Sequence, residues 1–129
     1  MPVLDASAAV EVLLRTPVGL RGVWRLFEDE LHAPHLLDIE FTQSLRRLIL
    51  AQKLSGARAD LALNMFGDLT ITRHAHTAML TRIWELRSSI SAYDAAYVAL
   101  AEGLEMPLLT CDARLSRSHG HRADIHLLV

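Results

Sequence analysis

The sequence predicts an α/β fold, a three-layer sandwich with a mainly parallel central sheet. Short apolar runs alternate with stretches of helical periodicity from end to end, and several of the runs stop at a carboxylate or a proline. At 129 residues and 51% hydrophobic, the chain has enough apolar material for one buried core and is read as a single domain, 1–129.

Pro2-Val3-Leu4 is the first strand, and the alanine-rich segment after Asp5 is a helix running to Leu14. Thr16-Pro17 breaks the chain. Leu20, Val23, Trp24, Phe27 and Leu31 then mark one face of a second helix, opposite Arg21, Arg25, Glu28 and Asp29. Leu31 to Pro34 is a second strand closed by the proline. Leu37, Phe41, Leu45, Leu48 and Ile49 recur at helical spacing in a helix from Leu36 to about Leu54.

Ser55-Gly56 precedes a further helix, Ala57 to Phe66, and the β-rich Leu69 to Thr72 predicts a third strand. Ala78 to Ser88 is helical, with Met79, Ile83, Trp84 and Leu86 inward. Ala92 to Gly103 carries Tyr93, Ala96, Tyr97 and Leu100 at helical intervals, with Ser91 to cap its start and Gly103 to end it. Leu108 to Thr110 is too brief for a helix and reads as a buried strand, and Ile125 to Val129 is the last.

Composition narrows the function classes. The chain has no apolar run near the ~20 residues that a membrane span requires, and Asp5 comes too early for a signal peptide, so it is expected to be soluble and cytoplasmic. Cys111, the single cysteine, excludes an internal disulfide and any multi-cysteine zinc site. The turn at Asp5 lacks the glycines of a phosphate-binding loop. Net charge is −2, yet twelve of thirteen basic residues are arginine, which suits bidentate phosphate contacts. His74-Ala-His76 and His119-Gly-His121 have no neighbouring carboxylate or cysteine framework and read as ordinary surface histidines.

Four carboxylates stand out. Asp5 and Asp112 follow strands, and Asp94 and Glu40 fall in the first turns of helices, so a parallel sheet would bring all of them to its carboxyl edge, where such folds bind ligands. Each also has a bland reading. Asp5 and Asp112 suit helix caps, Ser91-Ala-Tyr-Asp94 fits a capping box, and Glu40 favours a helix dipole. Clustered without cations, four carboxylates repel one another and raise each other's pKa values, and an all-oxygen donor set suits Mg²⁺ or Mn²⁺ rather than Zn²⁺.

VLDASAAVEVLL, HAPHLLDIEFTQSLRRL and SAYDAAYVALAEGLEMPLLTCDARL together resemble the three acidic motifs of PIN-domain ribonucleases, specifically the VapC-type toxins of VapBC toxin-antitoxin pairs. The resemblance covers almost the whole chain. It implies catalytic and metal-binding roles for Asp5, Glu40, Asp94 and Asp112, with Asp5 and Asp94 the principal ligands and Thr110 the small polar residue of the last motif. It further implies a Mg²⁺-dependent endoribonuclease, with Mn²⁺ a possible substitute, that cleaves RNA such as tRNA. A homodimeric toxin and a cognate VapB-type antitoxin are expected, the antitoxin lying against apolar helix faces that include Trp24, Phe27, Phe41 and Leu45. The competing expectation is a catalytically inactive PIN-fold binding module. A phosphate-receiver domain is disfavoured because Lys53, the only lysine, lies in a mid-chain helix rather than at a late strand end.

Overall fold

A computed structural model describes residues 1–22, 26 and 30–129. Five strands, β1 (Val3–Leu4), β2 (Leu31–Pro34), β3 (Ile71–His74), β4 (Leu108–Thr110) and β5 (Ile125–Leu127), form one parallel sheet in the order β3-β2-β1-β4-β5. β1 lies at the centre, Val3 opposite both His32 and Leu108. Its two residues are fully buried, as a strand between two helical layers must be.

The helices are α1 (Ala6–Leu13), α2 (Pro17–Leu20), α3 (Leu36–Leu50), α4 (Gly56–Asp68), α5 (Leu80–Glu85), α6 (Ala92–Leu104) and α7 (Ala113–Ser116), with a 3₁₀ turn at Thr77–Met79 before α5. One group packs α1 with α2, α3 and α4, and another packs α5 and the 3₁₀ turn on α6, which also contacts β1, β2 and β4. Phe41 of α3 stacks on Phe66 of α4 with ring centroids 4.3 Å apart. Gly19 is required where α2 meets α1, since a Cβ there would lie 1.8 Å from the Glu11 carbonyl oxygen.

Several expected boundaries move, for identifiable reasons. α3 stops at Leu50 rather than near Leu54, because Gln52 turns left-handed (φ 58°) and Lys53 N–H returns to the Leu48 carbonyl. α6 runs past Gly103, and Glu105 (φ 55°) supplies the left-handed residue that the sequence reading gave to glycine. β3 begins at Ile71 rather than Leu69, because Leu69 caps α4 and packs into the core. The helix expected over Ala78–Ser88 is a 3₁₀ turn followed by six residues of α5, and Trp84, expected inward, is 67% exposed.

Of the expected second-helix face, Leu20 is exposed, Leu31 is buried in β2, and Val23, Trp24 and Phe27 lie outside the described residues. Phe41 and Leu45 are core rather than docking surface. Among the described residues no helix is long and apolar enough to cross a membrane.

α6 is held in place by Glu102. Its nearly inaccessible carboxylate accepts Arg82 Nε at 2.8 Å, Arg82 Nη2 at 2.9 Å and the Arg122 backbone N–H at 2.9 Å. The Arg82 hydrogen bonds hold its pKa down at about 2, against 4.5 ordinarily. A depressed carboxyl pKa stabilises the fold above the unfolded value, and that contribution is lost as pH falls through the folded value. Glu102→Gln is therefore expected to lower unfolding free energy by about 2 kcal/mol at pH 7, through the two donors left poorly matched. Denaturant titration of both proteins checks this, and the gap should close as pH falls from 4.5 towards 2.

Candidate active site at the carboxyl edge of the sheet

Because the sheet is parallel, the residues that follow β1 and β4 emerge at one edge, and α3 enters from the same edge after β2. Asp5 leaves β1 there and Asp112 leaves β4. Glu40 lies in the second turn of α3, and Asp94 in the first turn of α6.

Asp5 is 6% exposed, and both its carboxylate oxygens are engaged. Oδ1 accepts the Ala8 N–H at 2.9 Å, which caps α1, and the Ser7 hydroxyl at 2.7 Å; Oδ2 accepts the Thr110 hydroxyl. Ser7 in turn accepts the Cys111 N–H at 2.9 Å, and Thr110 accepts the Asp112 N–H at 3.0 Å. Each hydroxyl has one proton and gives it to Asp5, so the 3.2 Å contact between Ser7 and Thr110 is a packing contact rather than a further hydrogen bond. These links tie the turn after β1 to the turn after β4. Burial nonetheless outweighs the three hydrogen bonds and lifts the Asp5 pKa to about 6, with the Asp94 charge adding to the rise.

Asp112 caps α7 through Oδ1, which accepts the Arg114 and Leu115 N–H groups at 2.9 and 3.4 Å. Ser91 caps α6 by accepting the Asp94 N–H at 3.1 Å. The return bond of a capping box, from Ser91 N–H to the Asp94 carboxylate, is not among the hydrogen bonds of the described residues. Burial and the neighbouring Asp112 raise the Asp94 pKa, while the Ser91 hydroxyl and Arg114 lower it.

Glu40 receives the Tyr97 hydroxyl at 2.6 Å on Oε1. Its pKa is raised by burial, lowered by that hydrogen bond, raised by Asp94 and lowered by Arg47. The sequence marks Tyr97 only by its helical spacing; a tyrosine three residues after Asp94 on a buried helix face needs a partner for its hydroxyl, and that need is the signal the sequence carries. Burial, reinforced by Glu40, keeps the Tyr97 phenol protonated well above its ordinary range.

The first turn of α6 separates two clefts. Glu40, Ala6 and Tyr93 line one of about 330 Å³, and Ser91, Asp94 and Asp112 line the other, of about 450 Å³. Asp94 charge reaches both Asp5 and Glu40, and Asp112 charge reaches Asp94, so the four groups form one electrostatic unit. Among the described residues no group of three or more His, Cys, Asp or Glu side chains forms a ready-made metal cage. Mg²⁺ does not need one, since it binds through one or two carboxylates and keeps several waters. Asp5, Glu40 and Asp94, whose charged forms are raised in energy by burial and by neighbouring acids, make with Asp112 an all-oxygen set of the kind such an ion takes.

Of the other sequence candidates, the exposed His119 lines the cleft that holds Asp94 and Asp112, and the rest have structural employment. His74 Nε2 and His32 Nδ1 lie 2.9 Å apart, His76 Nε2 accepts the Leu36 N–H, and His121 bonds Ser118 and the Ala123 N–H. The half-buried Cys111 thiol is pushed up to about 12 by burial, then by Glu11 and Asp5, which suits packing rather than nucleophilic attack.

A raised carboxyl pKa has the opposite linkage to that of Glu102. Stability is fully present below the unfolded value near 3.8 and is lost as pH rises through about 6. Asp5→Asn is therefore expected to stabilise the metal-free protein by about 1–3 kcal/mol at pH 7.5. Thermal unfolding across pH 3.5 to 7.5 checks the sign: the gain should appear between about pH 4 and 6, and a variant less stable at pH 7.5 contradicts it.

Known proteins place this geometry in a family. The PIN domain pattern matches residues 3–119. Ribonuclease VapC12 of Mycobacterium tuberculosis is 43% identical over 128 residues, covering 99% of each chain. VapC ribonuclease Mb0985 of Mycobacterium bovis is 43% identical over 116 residues, 90% of this chain and 89% of that one. The crystal structure of PAE2754 from Pyrobaculum aerophilum superposes with a TM-score of 0.61 over 88% of this chain and 80% of that chain at 22% identity, a likeness of fold. With a parallel sheet, its acidic edge and relatives matched over nearly the full length, the chain belongs to the PIN-domain family, among its VapC-type members.

Proposed function

We propose that this chain is a Mg²⁺-dependent endoribonuclease, the toxin of a VapBC-type pair, hydrolysing RNA phosphodiesters with water as the nucleophile. The observation that carries the reading is Asp5: a carboxylate sealed at the sheet edge, with a pKa near 6 and a second acid beside it, is costly to the fold and is relieved by a cation. The relatives named as ribonucleases support the activity.

The chain's own groups divide the work. Ser7 and Thr110 fix the Asp5 carboxylate, and Asp94 faces it from the first turn of α6. Tyr97 holds Glu40 through Oε1, which leaves Oε2 to orient a water and take its proton. The cap at Asp112 occupies Oδ1 and leaves Oδ2 for a water-mediated contact. Asp5 and Asp94 would hold Mg²⁺, which would supply a more acidic water and offset charge on the departing 3′ oxygen. Mn²⁺ substitutes for it in this reading.

The reading extends to a cytoplasmic setting, structured RNA such as tRNA as substrate, a homodimeric toxin, and a VapB-type antitoxin as the silencing partner. Support for a partner comes from large apolar side chains on the surface, including Ile39, Leu61 and Trp84.

Asp94→Asn should abolish RNA cleavage, and with it growth arrest on expression, while the protein remains folded. Wild-type activity should vanish in EDTA, return with Mg²⁺ or Mn²⁺, and leave 5′-phosphate and 3′-hydroxyl ends. Sequencing and end-labelling of the products check this; 2′,3′-cyclic phosphate ends or full cleavage in EDTA contradict the mechanism.

A further inference from the structure

The cleft of about 330 Å³ beside Glu40 extends beyond what hydrolysis requires. Its inner end touches the acidic set through Glu40 itself, through Ala6, which follows Asp5, and through Tyr93, which precedes Asp94. From there it follows one face of α3, where Glu40, Ser44 and Arg47 stand at positions i, i+4 and i+7. Arg47 therefore lies about 10 Å farther along the helix axis than Glu40. Its guanidinium makes no close ion pair among the described residues, although its charge reaches Glu40. Across the cleft, Tyr93 leaves 62% of its surface in solvent although it sits on the helix that carries Asp94.

An unpaired cation at the outer end, a flat aromatic surface at the side and an acidic end suited to a cation-bridged phosphate are the recognition elements of a single nucleotide. Guanidinium groups grip phosphate, and an exposed ring stacks on a base only when that base is free of a duplex. Acidic protein segments would meet Glu40 and basic ones would meet Arg47, whereas a nucleotide joins an anionic group to a planar ring. We propose that this cleft seats the unpaired nucleotide next to the scissile phosphate, its base against Tyr93 and its outer phosphate on Arg47. The proposal rests on the ribonuclease reading above.

The test uses a single-stranded RNA cleaved at one site, and a set of the same RNA with one base at a time removed around that site. The wild-type chain should lose about fivefold to 150-fold in kcat/KM when one particular flanking base is missing. Tyr93→Ala should be impaired on the intact RNA and lose nothing more on removal of that base, while Tyr93→Phe should behave as wild type. Arg47→Gln should raise KM, and should lower the salt dependence of binding by about 0.7 in log–log slope, one phosphate contact on a single strand. A wild-type chain that cleaves no RNA at all overturns both readings. A wild type that cleaves RNA, with the missing-base loss undiminished in Tyr93→Ala or with Arg47→Gln unchanged in KM and slope, overturns this one alone. So does a change of oligomeric state in either variant by light scattering with the base loss intact, which would assign the cleft to contact between copies.

Discussion

The structure depends on the sealing of one carboxylate, Asp5, at the carboxyl end of the central strand. Strand β1 contributes only Val3 and Leu4, both fully buried between neighbours on either side, so the next residue has little access to water whatever its chemistry. An aspartate there costs a raised pKa, and an apolar residue would escape that cost only by leaving the α1 N-terminus uncapped and the Ser7 and Thr110 hydroxyls without their acceptor. Ser7, Thr110 and the Ala8 N–H recover part of that cost, and they lie where the sheet joins its helices, Ser7 and Ala8 in the first turn of α1 and Thr110 at the end of β4. The fold thus holds the site through the same hydrogen bonds that close its central connections.

Cap and site are not alternatives in this molecule. Asp5 caps α1 with Oδ1 and is tied to Thr110 through Oδ2, and Asp112 caps α7 with Oδ1 alone. A carboxylate has two oxygens, and a helix N-terminus placed at the sheet edge can use one while leaving the other directed at the site. Asp94 differs: Ser91 does the capping of α6, and among the described residues the Asp94 carboxylate takes no backbone bond in return. Tyr97 completes the set by joining α6 to Glu40 of α3, so that the two helices carrying acids hold each other in register.

Much of this was legible in the sequence because the signals were local. Strand ends at Asp5 and Asp112, the Ser91 cap and the apolar spacing of α6 depend on neighbours a few residues away, and the parallel sheet follows from their alternation. What the sequence hid was tertiary. Gln52 and Glu105 end helices in a left-handed conformation without glycine, which no composition rule anticipates. The exposure of Trp84 depends on α5 being short and on what covers it. Tyr97 reads as core by its spacing, and only the approach of α3 reveals that its hydroxyl reaches Glu40. The motif resemblance singles out the four acids, while the hydrogen bonds from Tyr97 and Thr110 that help position them join residues far apart in the chain.

The central claim is that burial raises the Asp5 pKa and that a divalent cation then displaces its proton. Calorimetric titration with Mg²⁺ or Mn²⁺, in two buffers of different ionisation enthalpy at pH 5.5 and pH 8, measures it directly, since ligation by a protonated carboxylate must release its proton. With Asp5 titrating near 6, the account predicts net proton release at pH 5.5, little at pH 8, and a smaller release for Asp5→Asn. Metal binding with the same proton balance at both pH values, or no binding at all, would contradict it.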